Sequence, residues 1–195
     1  MPGSTVGTQM NVGYPGQYSR NGDCIIAAHP VRSTDTILPS FGDACVMNYD
    51  AAGDVSSCQQ SVTGSSVNPT MTQATAGCFM GVFAREVKTL VSFVPQPGAV
   101  AVLGGYSAGQ IADIIERGNV TVQIQNPAPT TIKPFGPVYL RYSANVGTVV
   151  GAFEPAADSG HSIQLTTCFF TTGIVSTDAN GNLVAEICIL TRNTP

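Results

Sequence analysis

Period-two alternation of apolar and polar residues is the feature that most limits what this chain can become. In VTVQIQ (120–125), Val120, Val122 and Ile124 share one face while Thr121, Gln123 and Gln125 share the other; in VYLRYS (138–143), Val138, Leu140 and Tyr142 oppose Tyr139, Arg141 and Ser143. Successive side chains of an extended backbone point to opposite sides, so both stretches read as half-buried strands. Near the C-terminus, SIQLTTCFFTTGIVS and LVAEICILT flank TDANGN, whose Asp, Asn and Gly residues tolerate the left-handed backbone of a tight turn, and the three together predict a hairpin. Its last strand carries Leu183, Ala185, Ile187 and Ile189 on one face and Val184, Cys188 and Leu190 on the other, so both faces are expected to be covered. Further strands are expected around residues 23–28, 44–49, 79–93 and 147–153, separated by Gly- and Pro-bearing turns such as QPG (96–98) and NPAPTTIKPFGP (126–137). Short strands at this spacing predict an all-β fold, a β-barrel or jelly-roll-like sandwich with long loops or arms, forming a single domain over residues 1–195.

Two stretches lack core periodicity. Residues 1–20 read as an N-terminal arm, and SSCQQSVTGSSVNPTMTQAT (56–75) as a long polar loop or arm. The N-terminus lacks the charged-then-apolar layout of a signal peptide, and no window reaches the roughly 18 apolar residues of a membrane span, so assembly in the cytoplasm without a membrane partner is expected. Cys24, Cys45, Cys58, Cys78, Cys168 and Cys188 are dispersed, several within apolar runs, and are expected to be reduced, mostly buried thiols rather than a zinc site or a disulfide framework.

Charge is scarce. Asp, Glu, Lys and Arg make up 10% of the chain, with eight basic residues against twelve acidic ones and a net charge of −4. With no basic run to track phosphates, nucleic acid is not an expected partner. A surface so poor in charge is either neutral and polar or covered by neighbours.

One motif points to chemistry. GYSAG (105–109) follows the apolar run AVAVL, precedes QIADIIER with Ile111, Ile114 and Ile115 at helical spacing, and is followed later by Asp158 and His161 in the order a serine hydrolase of the α/β class uses. Ser107, Asp158 and His161 therefore form the alternative reading. Against it, the helix expected over Gln110–Arg117 has only two turns before Gly118 and a strand, parallel strands need long crossovers that the hairpin turns do not supply, and Asp158 and His161 sit together in ADSGHS, an expected exposed turn. An ordinary strand and turn is the favoured reading. Asp43, Asp50 and Asp54 read as scattered surface aspartates rather than a cation site, DANGN lacks the later ligands of a calcium loop, and His29 reads as structural. No cofactor or metal is expected, and what remains is a β-rich protein that binds another protein through a broad, polar interface.

The opening GYPGQYSRNGD, the block GQIADIIERGNVTVQI, the run YLRYSANVGTVVGAFEP and the closing CFFTTGIVSTDANGNLVAEICIL together resemble the structural cement, or head decoration, proteins of tailed bacteriophages, and the likeness extends over most of the chain. The resemblance implies a non-enzymatic virion protein that assembles as a homodimer or homotrimer on the outer surface of the expanded head. There it would clamp neighbouring subunits of the major capsid protein against the pressure of packaged DNA. Tyr14, Tyr18 and Arg20 of the N-terminal arm, with side chains of the kind enriched at interfaces, are the expected contact residues, together with the loop 56–75.

Overall fold

The alternating segments do become strands, and the pairing between them closes twice. The computed structural model describes residues 15–18, 23–35, 37–47, 53–58, 78–85, 105–125, 132–143, 149–177 and 182–191. Within these lie β1 (Ile25–Pro30), β2 (Ala44–Met47), β3 (Val55–Ser57), β4 (Phe79–Phe83), β5 (Ile111–Gln123), β6 (Pro137–Arg141), β7 (Phe153–Glu154), β8 (Ser162–Thr177) and β9 (Leu183–Ile189). The strands pair antiparallel in the order β3-β2-β4-β5-β9-β8-β6-β7, and β1 also pairs with β5.

Two parallel bridges then join the ends. Val31, just after β1, bridges Val55 of β3, and Ile124, just after β5, bridges Phe153 of β7. Each bridge carries a backbone hydrogen bond, Arg32 N–H to the Val55 carbonyl at 3.0 Å and Gln125 N–H to the Phe153 carbonyl at 2.9 Å. The result is a smaller ring, β1–β5–β4–β2–β3, and a larger one, β5–β9–β8–β6–β7, with β5 common to both. Closure of this kind leaves few unpaired edges and is the barrel solution to an all-strand chain.

β5 corrects the sequence reading at one point. Ile111, Ile114 and Ile115 do not lie on a helix; they open a strand of 13 residues that continues without a break into the VTVQIQ segment. Its first half pairs with β1 (Ile26↔Ile115, Pro30↔Ile111) and β4 (Val82↔Ile115), and its second half with β9 (Gly118↔Ile189 to Gln123↔Val184). Alternation is hidden because this part of the strand is covered on both sides, Ala112 and Ile114 by the smaller core and Ile115 by the larger; just after it the register slips, Arg117 and Ile115 becoming successive partners with Glu116 as the extra residue of a bulge. A two-turn helix has little stability of its own, whereas this segment finds a strand on each side.

The larger ring encloses Val120, Val122, Val138, Leu140, Leu165, Phe170, Ala185 and Ile187, and residues from β2 and β4 of the other ring, Ala44, Val46, Phe79 and Val82, join the same cluster. Phe79 meets Phe153 edge to face, with ring centroids 6.1 Å apart. The smaller ring has its own core of Val31, Cys45, Val55, Met80, Phe83, Tyr106, Ala112 and Ile114. As expected, β8 and β9 pair antiparallel on either side of TDANGN, of which residues 178–181 lie outside the described residues, and both faces of β9 are largely covered, although Leu183 and Leu190 at its ends are exposed.

Other boundaries differ from expectation. β4 ends at Phe83, and 86–93 lie outside the described residues, while the strand expected over 147–153 is reduced to Phe153–Glu154, with a turn before it. The polar segment 56–75 does not begin as a loop: Ser56 and Ser57 complete β3 and, with Cys58, are buried, while 59–75 lie outside the described residues. All six cysteines are thiols; Cys45, Cys58, Cys78 and Cys168 are buried and Cys24 and Cys188 half-buried. Burial pushes the Cys45 and Cys58 thiols up, and that of Cys168 to about 12, which leaves them inert as nucleophiles at neutral pH. No described helix is long and apolar enough to cross a membrane.

Candidate functional site

GYSAG is accounted for residue by residue as a folding element of the smaller ring. Gly105 bridges Ser40, and a Cβ at that position would lie 2.5 Å from the Pro39 carbonyl oxygen, so no larger residue fits. Tyr106 is buried between Phe41 (5.4 Å, edge-on) and Phe83 (5.8 Å). Its hydroxyl donates to the Ala84 carbonyl at 2.8 Å and accepts from Asp113 N–H at 3.3 Å, and burial raises its pKa to about 12. Ser107 is exposed and starts a four-residue turn closed by Gln110 N–H to the Ser107 carbonyl at 3.1 Å. Gly109 occupies the third position at a φ of 74°, the left-handed value that such turns assign to glycine.

Asp158 and His161 belong to the larger ring and serve a different purpose. The His161 and Ser162 amides both donate to the Asp158 carbonyl, at 2.9 and 3.0 Å, which makes the segment a backbone-bonded turn, as expected. The Asp158 carboxylate is taken by Arg141, whose Nη2 lies 2.6 Å from Oδ2. Asp158 thus does not orient the His161 imidazole in this structure, and among the described residues no hydrogen bond joins Ser107 to either.

Arg141 departs most from its sequence reading. Alternation puts it on the polar face of β6, yet its side chain is 1% exposed. Nε donates to Glu154 Oε1 at 2.7 Å, Nη2 to Asp158, and Nη1 to the Ser143 carbonyl at 3.2 Å. Burial lowers the guanidinium pKa, and the hydrogen bonds and charges of Glu154 and Asp158 raise it by more, so the cation is held firmly. The network ties β6 to β7 and to the turn before β8. A lone arginine in an alternating strand gives no signal of this, because its partners lie 13 and 17 residues away.

Asp43 is likewise not a scattered surface aspartate. It is half-buried; its Oδ2 accepts from Ser40 N–H at 2.9 Å and Ser57 Oγ at 3.2 Å, and burial raises its pKa to about 6. Asp54 is half-buried, and Asp50 lies outside the described residues. His29 has a partner that sequence spacing hides, Glu116 across the β1–β5 pair, with Nε2 3.0 Å from Oε1. Among the described residues no group of His, Cys, Asp and Glu has the geometry to hold a metal.

Of the expected contact residues, Tyr14 and Arg20 lie outside the described residues, while Tyr18 is half-buried, bridges Val120 and packs against the larger core. The described part of the arm is stitched to the barrel: Gly16 N–H donates to the Thr121 carbonyl at 2.8 Å and Thr121 N–H to the Gln17 carbonyl at 3.0 Å. The surface feature that sequence reading passed over is Phe135, inside the turn-rich stretch NPAPTTIKPFGP. It is 77% exposed and adopts a φ of 61°.

The model of the XM1 gp53 minor capsid protein family matches residues 3–188 of the chain. Among solved structures, a chain in the capsid of Myoviridae phage XM1 matches with a TM-score of 0.53 and 16% sequence identity, covering 95% of this chain and 97% of that one. At that identity the likeness shows a shared fold. No curated protein sequence matches.

Proposed function

The chain belongs to the XM1 gp53 minor capsid protein family, a structural component of the phage virion, and from that premise we propose that it binds the outer surface of the expanded head and clamps neighbouring subunits of the major capsid protein. The family match along residues 3–188 carries this reading. A net charge of −4 without a basic run favours the face of the shell away from DNA, and the low charge content favours a surface covered by neighbours. A protein that binds only the expanded lattice lowers the free energy of that state by mass action, and many copies acting together need only weak individual contacts. On this reading the protein is a homodimer or homotrimer, Tyr14, Tyr18 and Arg20 contribute to its contacts, and it catalyses no reaction.

Cosedimentation with heads lacking the protein tests the proposal. Binding to expanded heads but not to compact precursors is expected, with a rise in the temperature of DNA release. Because few charges are available, binding should change little between 50 mM and 1 M NaCl, about 14 to 3 Å in screening length. Equal binding to both head forms would remove the clamp.

A further inference from the structure

We propose that a spur at the start of β6 plugs into an apolar socket on a neighbouring capsid subunit, with Phe135 as the plug and Lys133 facing a carboxylate at the socket's rim. This rests on the capsid-binding reading above. The spur consists of two irregular excursions that abut. One is the turn Lys133–Pro134–Phe135–Gly136, closed by Gly136 N–H to the Lys133 carbonyl at 2.9 Å. The other is Thr171–Ile174, four residues of β8 left over where its pairing with β9 jumps from Phe170↔Ile187 to Val175↔Ala185. They touch closely enough that a Cβ on Gly173 would lie 3.3 Å from both the Ile132 carbonyl oxygen and Pro134 Cδ.

The residue at the third turn position is the anomaly. With proline second and a positive φ third, this turn is of the kind that takes glycine or asparagine there. The Ser107–Gln110 turn obeys that rule with Gly109 at 74°, whereas this one places a phenylalanine at 61°. A bulky side chain in that region is a steric outlier. Nor is the strain repaid by burial, since Phe135 is 77% exposed, the highest value among the large hydrophobic residues described, and Ile174 beside it is 43% exposed. The turn is nevertheless fixed in place: Phe135 N–H donates to the Phe170 carbonyl at 2.7 Å and Phe170 N–H to the Gly136 carbonyl at 3.0 Å. The ring leans on Phe169, with centroids 5.4 Å apart. Strain, exposure and rigidity together describe an aromatic anchor held ready for a partner.

Charge specifies the partner's chemistry. Lys133 is exposed, one of two lysines in the chain, and no carboxylate among the described residues pairs with it. A two-fold contact between copies of this chain centred on the plug would set Lys133, two residues from Phe135, close to the like-charged Lys133 of its mate. A different surface, apolar with an acidic rim, has no such repulsion.

Phe135→Gly separates plug from scaffold, because glycine relieves the backbone while deleting the ring. Its melting temperature should equal or exceed that of the wild type, while affinity for expanded heads falls by about 30-fold. Lys133→Glu should weaken binding at 50 mM NaCl, and that loss should shrink at 1 M. If Phe135→Gly melts lower than expected, Phe135→Asn, which also tolerates the backbone, takes its place. Wild-type protein that binds heads alongside a well-folded Phe135 variant that binds within twofold would overturn the plug and leave the capsid-binding reading intact. A Phe135 variant that changes the oligomeric state in sedimentation but keeps head affinity would make the spur a contact between copies, also overturning it. Wild-type protein that fails to bind heads would remove both.

Discussion

The two rings share a strand yet are built by different means. The larger relies on long ladders: β8 has 16 residues and β9 has seven, and both face a continuous apolar interior. The smaller is assembled from short pieces, four residues in β2 and three in β3, too few for a ladder to hold by itself. It substitutes side chains that reach back to the main chain or across to a neighbouring strand, with Tyr106 bonding Ala84 and Asp113 and Asp43 bonding Ser40 and Ser57. Apolar area therefore dominates one ring, and in the other a few polar staples reinforce a smaller apolar core. The Arg141 network is the exception within the larger ring, placed where its strands are shortest, at the two-residue β7.

The contrast is open to direct attack. Ile187, fully buried at the centre of the larger ring, should be the most damaging site. Ile187→Asp places an unpaired charge there at a cost of several kcal/mol, enough to unfold a domain of ordinary stability. A soluble variant with a normal thermal transition would mean that the larger core does not govern the fold. Next in size, Arg141→Met should cost about 3–5 kcal/mol in urea unfolding, since Glu154, 2% exposed, is left without its counter-charge. Adding Glu154→Leu to that variant should restore much of the loss; no recovery would show that the arginine's role is packing alone.

The smallest and most specific effect belongs to the smaller ring. The Asp43 pKa is raised from 3.8 to about 6, so the folded state holds this proton more tightly than the unfolded chain does. Its stabilising contribution, on the order of 3 kcal/mol, is complete below about pH 4, is lost as pH rises through about 6, and is absent above that. Asn mimics the protonated carboxyl and can accept the same two hydrogen bonds. The stability of Asp43→Asn relative to wild type should therefore grow between pH 4 and 6 and then level off. A difference that stays flat across this range would place the carboxylate in water.

What could be read from the sequence follows the same division. Alternation located β6, β8, β9 and the second half of β5, because long half-buried strands repeat the pattern often enough to be recognised. It misassigned Ile111–Arg117, where Ile114 packs into the smaller core, Ile115 into the larger and Ile111 is exposed, so a strand with a core on each side produces a spacing that imitates a helix. Arg141, Asp43 and His29 were opaque for a related reason: each is explained by a partner on another strand, and no local pattern encodes that meeting. GYSAG was read correctly as a turn because the segment after it is too short for a packed helix and the rest of the chain signalled hairpins rather than parallel strands. Phe135 was hidden in KPFG, because proline followed by most residues fits a type I turn, and only its positive φ makes the phenylalanine an anomaly.

Mechanical consequences follow from β5 as the shared strand. Thirteen residues extend over roughly 40 Å, about the breadth of a small domain. Ladder bonds in antiparallel pairs lie across the strands, so tension along β5 loads its bonds to β1, β4 and β9 simultaneously, in shear. A force applied across it would instead peel them apart one after another. The molecule is in effect a short tie-rod, stiff along one axis and weak across it. A shell swollen from within stretches in its own plane, and on the clamp proposed above it would be best braced by copies whose β5 lies flat in that plane.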